Sequence, residues 1–132
     1  MSDPSSRFTE GMATRRKVLG ETYVDAAVAS TNSFTSDFQT LITEAAWGTV
    51  WSRSNIPLRE RSMLTIALLA ALGHYDEVEM HVRATRNTGA SLDDIKEALL
   101  HVAIYAGVPA ANHAFKIAAQ TYAGMAGEDH HA

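Results

Sequence analysis

The sequence predicts an all-α protein, a compact bundle of about six helices, and three observations carry that expectation. No stretch alternates apolar and polar residues at a period of two for long enough to make a convincing strand. Apolar residues recur instead at the three- and four-residue spacing of one helix face, as Phe38, Leu41, Ile42 and Ala45 do. Turn-forming residues fall between such stretches, at Gly20, Gly73, Gly89 and the Gly107-Val108-Pro109 break.

The elements follow in order. Residues 1–9 read as a flexible polar arm with Pro4, residues 10–124 as a single helical domain, and residues 125–132 as a flexible tail. Helical pattern runs from about Glu10 to Leu19 and from about Glu21 to Ala29, with Gly20 between. The stretch from Phe34 to about Trp47 turns the Phe38 stripe toward the core, and Trp47, Val50 and Trp51 form a bulky cluster after it. Asn55 and Pro57 signal a new helix start, since proline is tolerated where no backbone donor is needed. That helix, about Leu58 to Leu72, ends so apolar that it is expected in the middle of the assembly. Next comes about Tyr75 to Thr88, with Tyr75, Val78, Val82 and Thr85 inward and Gly89 suited to the position just past its end. Ser91 and Asp94 resemble a capping box for a helix to about Ala106, with Ile95, Leu99, Val102 and Tyr105 or Ala106 inward. A last helix is expected from about Ala110 to Tyr122.

Composition narrows the function. A chain of 132 residues with 46% hydrophobic and 20% charged types is globular. The net charge of −4 argues against nucleic acid or a membrane surface as partner, since both attract a basic face. The absence of cysteine removes disulfides and thiol chemistry. With no apolar signal segment in residues 1–17 and no apolar run long enough to span a bilayer, the expected location is the cytoplasm.

Histidine and arginine are the chemical resources. His74, Glu77 and His81 are spaced to share one helix face, which suits either a metal site or an acid–base pair in which Glu77 orients His81. A solvated Glu–His pair accounts for the same spacing. His101 adjoins an apolar stripe, where a hydrogen-bonded core residue competes with a functional one. Asn112 and His113 follow the Pro109 break, where the start of a helix attracts anions or Asn112 simply satisfies backbone groups. Arg53, Arg61 and Arg83 are forks of the kind that grip carboxylates, although most surface arginines are solvated, and Trp47 is a candidate pocket wall or a packing residue. No phosphate loop, dinucleotide fingerprint, nucleophile elbow or zincin motif is present.

Several segments resemble the carboxymuconolactone decarboxylase family. They are Arg15-Arg16-x-Val18-Leu19-Gly20, Ala46-Trp47-Gly48-x-x-Trp51-x-Arg53, Arg61-Ser62-x-Leu64-Thr65 and Glu79-x-His81-Val82-Arg83-Ala84. Ile95-Lys96-Glu97-x-Leu99-Leu100-His101 and Ile104-Tyr105-x-Gly107-Val108-Pro109-Ala110-Ala111-Asn112 extend the resemblance over about residues 11–120. The last block marks the wider alkylhydroperoxidase D-like superfamily, whose redox proteins carry Cys-x-x-Cys followed by His. In this sequence His74 and Glu77 stand at the cysteine positions and His81 is retained, so thiol redox chemistry is lost.

The resemblance implies an alkylhydroperoxidase D-like fold and a homo-oligomer, trimeric or hexameric. It implies decarboxylation of a small anionic lactone, 4-carboxymuconolactone, to 3-oxoadipate enol-lactone in protocatechuate catabolism by the β-ketoadipate pathway. No cofactor and no metal are expected, because the lactone is its own electron sink. On this reading His81 is the general acid, Glu77 orients it, and Arg83 and Arg61 hold carboxylates with Arg53 in support. His113 or His101 is the reserve acid, and Trp47 or Tyr105 shields the departing carboxylate. A relative acting on another unsaturated lactone and a His/Glu metal- or ligand-binding module are the alternatives.

Overall fold

The computed structural model describes residues 4–130 of the chain, all of them in helices and the turns between. Among the described residues seven α-helices and one π-helix occur, against about six expected: α1 (Pro4–Leu19), α2 (Glu21–Ala29), α3 (Ser36–Ile42), the π-helix Thr43–Trp51, α4 (Leu58–Leu72), α5 (Tyr75–Thr88), α6 (Leu92–Tyr105) and α7 (Val108–His130). They group into two compact units, residues 1–57 and 58–132.

In the N-terminal unit, α1 lies directly on the π-helix. Glycine makes that approach possible. A Cβ on Gly11 would overlap the Thr43 carbonyl oxygen, and one on Gly48 would overlap the carbonyl of Arg7, so backbone meets backbone at both points. The wide turns of the π-helix change which residues share a face. Hydroxyls take its carbonyls five residues back, Thr49 Oγ1 donating to Glu44 O at 3.0 Å and Ser52 Oγ to Trp47 O at 2.6 Å. Thr43, Trp47 and Trp51 turn inward, and the two indoles stack at 5.0 Å between centroids. The stripe expected inside faces out instead: Phe38 is 59% exposed, Leu41 61%, and Ala45 is exposed as well.

The C-terminal unit has its own core, in which Ile66 and Ala70 of α4, Val78 and Val82 of α5, and Ile95, Leu99 and Val102 of α6 meet Ala111, Ala114 and Ala118 of α7. Alanines on α7 let its neighbours approach closely. Buried hydroxyls tie the helices further, with Ser62 Oγ donating to Thr88 Oγ1 at 2.7 Å and Thr85 Oγ1 lying 3.0 Å from the Tyr122 hydroxyl. The expected end signals are present. Gly89 has φ +87°, the left-handed conformation that closes α5, and Ser91 with Asp94 forms a complete capping box on α6. Asp94 also receives a two-pronged bond from Arg59, at 2.8 and 2.6 Å.

In the single chain Leu64, Leu68 and Leu72 of α4, four residues apart, are 56%, 62% and 69% exposed. Two expectations change here. Tyr105 and Ala106 are exposed rather than inward, because α6 closes at Tyr105 and turns through Gly107. Both ends of the chain are more helical than expected: α1 begins at Pro4, within the stretch read as an arm, and α7 runs on through Gly124 and Gly127 to His130. Residues 1–3 and 131–132, at the tips of that arm and tail, lie outside the described residues.

Candidate active site

Helix α5 carries three of the expected site residues, Glu77, His81 and Arg83, and its faces differ in their surroundings. Tyr75, Asp76, Glu79 and Arg83 point to one side, where they meet His113, Ile117, Gln120 and Thr121 of α7 around a cleft of about 440 Å³. The spacing explains the selection, because residues three or four apart on a helix stand above one another. The His113 ring stacks on Tyr75 at 3.9 Å between centroids, which fixes the imidazole at the cleft wall. Arg83 Nη1 donates to Glu128 Oε1 at 3.0 Å and Arg86 Nη2 to Glu128 Oε2 at 3.2 Å. The two guanidiniums hold the Glu128 carboxyl below its usual range. Arg83 thus already grips a carboxylate in the resting chain.

His81 lies on the other face. It stands two positions before Arg83, about 200° around the helix, so the two side chains diverge instead of serving one ligand within the unit. It is 6% exposed, and burial pushes its pKa down from 6.5 to about 4, against a smaller opposing pull from the Glu77 carboxylate. At neutral pH its ring carries no charge. Glu77 is exposed and acts on it through its field.

That depression has a measurable consequence. The unfolded chain protonates His81 near 6.5 and the folded chain only near 4. As pH falls through that window the unfolded state takes up a proton the native state refuses, and stability is lost. The loss from this group reaches roughly 3 kcal/mol and stops below the folded pKa. Urea melts at pH 7 and 4.5 are expected to show a smaller acid loss for His81→Gln than for the wild type. Equal losses would contradict the burial argument.

The other expected site residues are scattered. His74 is the exposed residue just before α5, and among the described residues no three His, Asp or Glu side chains stand together to hold a metal ion, so the metal reading of His74, Glu77 and His81 fails on geometry. Arg61 is half-buried on α4, outside the cleft lining. His101 and Tyr105 are exposed on α6, with rings 6.2 Å apart and nearly parallel. Asn112 is exposed and, since α7 begins at Val108, it sits beyond the open first turn where an anion was expected to dock. In the N-terminal unit, Trp47 is buried against Trp51 and Arg53 is exposed. Sequence reasoning missed Tyr75, Gln120, Thr121 and Glu128. Tyr75 and Glu79 shared a face with Arg83 by spacing alone, but nothing local announced the α7 partners.

Residues 36–120 match the carboxymuconolactone decarboxylase family. A 4-carboxymuconolactone decarboxylase from Acinetobacter baylyi is 45% identical over 116 residues, 88% of this chain and 87% of that protein. A nitrosuccinic acid decarboxylase from Metarhizium robertsii is 40% identical over 86% of this chain and 80% of its own length. A 46-residue stretch is 41% identical to a 4-carboxymuconolactone decarboxylase of Pseudomonas putida, covering 35% of this chain and 96% of that sequence.

Proposed function

The chain belongs to the carboxymuconolactone decarboxylase family, and from that membership we propose that it is a carboxy-lyase converting 4-carboxymuconolactone to 3-oxoadipate enol-lactone and CO2. The observation that carries the reading is one cleft offering a guanidinium, Arg83, and an imidazole, His113, in a chain so close to a named decarboxylase.

The substrate supplies its own electron sink. As the bond to the ring carboxylate breaks, its electron pair moves through the ring double bond to the lactone carbonyl, giving CO2 and a dienolate. A proton delivered to the carbon α to that carbonyl completes the product. The protein therefore has to hold a carboxylate, favour charge on the carbonyl oxygen and supply one proton. Arg83 suits the first two tasks, and we assign the third to His113. His81, the expected acid, is uncharged at neutral pH and faces away from Arg83, so it fits a buried supporting role better. Nitrosuccinic acid makes a similar demand, since its nitro group accepts an electron pair next to the carboxylate that leaves.

Incubation with enzymatically generated 4-carboxymuconolactone is expected to release CO2 and form the enol-lactone, and to do so after exhaustive chelation. Faster turnover of nitrosuccinate would assign the chain to another substrate, and activity restored only by added metal would overturn the cofactor-free scheme.

An alkylhydroperoxidase D-like homo-oligomer, trimeric or hexameric and working in the cytoplasm within the protocatechuate pathway, completes the reading. Its support is the unpartnered apolar surface of Leu64, Leu68, Leu72, Ile104 and Val108, all more than half exposed in the single chain. Among the described residues no helix is long and apolar enough to cross a membrane. Light scattering is expected to find at least a trimer at low micromolar concentration, and an active monomer would contradict it.

A further inference from the structure

The N-terminal unit holds a second guanidinium in a very different setting. Arg15, on α1, is 5% exposed and lines a cavity of about 340 Å³ with Phe8, Met12, Val28, Gln39 and Thr40. A guanidinium carries five N–H donors and cannot shed its charge in water at ordinary pH. Of these donors, Nη1 is engaged by Oε1 of Gln39 at 3.1 Å, while Nε–H, closed off from water, meets no acceptor among the described residues. No carboxylate pairs with it there either, in contrast to Arg16, Arg59, Arg83 and Arg86, each of which has at least one acidic partner. Burial pulls its pKa down, partly offset by the Tyr23 phenol.

A buried cation without a counter-ion is costly, and the cost is removed when an anion arrives. The cavity shows what kind of anion it takes. Its lining is mixed: Phe8, Met12 and Val28 are apolar, Thr31, Ser36 and Thr40 bear hydroxyls, and Gln39 sits on the guanidinium itself. Its volume lies in the range of small-molecule sites. A planar carboxylate on an apolar body matches that mixed lining, the carboxylate on the flat guanidinium and the body against the apolar side chains. We propose that the Arg15 cavity is a binding site for a small aromatic or unsaturated monocarboxylate, separate from the Arg83 cleft.

The test uses full-length protein carrying Arg83→Met, which silences the other carboxylate-gripping guanidinium, and 4-fluorobenzoate as probe in ¹⁹F NMR titrations. Saturable binding is expected in this background. Adding Arg15→Met is expected to weaken it about tenfold or more, the scale of one lost charge-assisted bond. Thr40→Trp, placed at an exposed lining position to fill the cavity without touching the guanidinium, should weaken it equally; it also guards against an Arg15 variant that fails to fold. The neutral 4-fluorobenzyl alcohol should bind much less tightly. Absence of saturable binding in the Arg83→Met protein overturns the proposal, and is the result expected if an acidic side chain of a second copy fills the cavity. Binding unchanged by both Arg15→Met and Thr40→Trp, or equal binding of the alcohol, overturns it too. None of these outcomes bears on lactone turnover by the wild-type protein.

Discussion

Arg83→Met is expected to lower kcat/KM for the carboxylated lactone by roughly 10- to 100-fold, mostly through KM, because one charge-assisted hydrogen bond is worth about 1.5–3 kcal/mol. The side chain is half-exposed on α5 and already closes on the carboxylate of Glu128, showing the geometry a substrate carboxylate would borrow. Arg83→Lys should recover only part of the loss, since an ammonium keeps the charge but not the planar fork. Glu128→Gln should act in the opposite direction and lower KM, because the resting guanidiniums of Arg83 and Arg86 would no longer hold an internal anion. Steady-state kinetics on the three variants decide the matter. An unchanged KM in Arg83→Met would remove Arg83 from substrate binding.

Local signals in the sequence were enough for much of the C-terminal unit. The limits of α4 and α5 follow from Pro57, Gly73 and Gly89, and the start of α6 from the reciprocal Ser91–Asp94 cap. These depend on neighbouring residues only, so they survive folding. The π-helix did not show itself, because Thr43–Trp51 has an ordinary helical composition, and its close seat on α1, through Gly48 and through α1's Gly11, joins residues far apart in the chain. The apolar run of α4 marks a different limit: hydrophobicity says that Leu64, Leu68 and Leu72 avoid water, not which chain covers them.

The site was legible in its parts and not in its assembly. Arg83 and His113 were both singled out, but they lie thirty positions apart in the chain and only the α5–α7 contact joins them. His81 looked like Arg83's natural partner because it is near in sequence, while helical rotation sends the two to opposite faces. Its burial, which decides its charge, depends on the packing of α5 and could not be read from the His-Val-Arg run. Arg15 likewise stood in a recognised motif without any local sign that it would meet no carboxylate among the described residues.

The proton is the most discriminating point, and the kcat values of His113→Gln and His81→Gln, measured side by side on 4-carboxymuconolactone, test it directly. Loss of a general acid costs roughly 10²- to 10⁴-fold in rate. Glutamine keeps a polar group at the ring position but cannot deliver a proton to carbon, so packing and chemistry are separated. A fall of about 10²-fold or more in kcat is expected for His113→Gln, with KM changed much less because Arg83 still holds the carboxylate. For His81→Gln near-normal kcat is expected at pH 7, in keeping with a ring that is already uncharged there. The reverse pattern in folded protein, with turnover lost in His81→Gln and retained in His113→Gln, would contradict the account and return the catalytic proton to the buried face of α5.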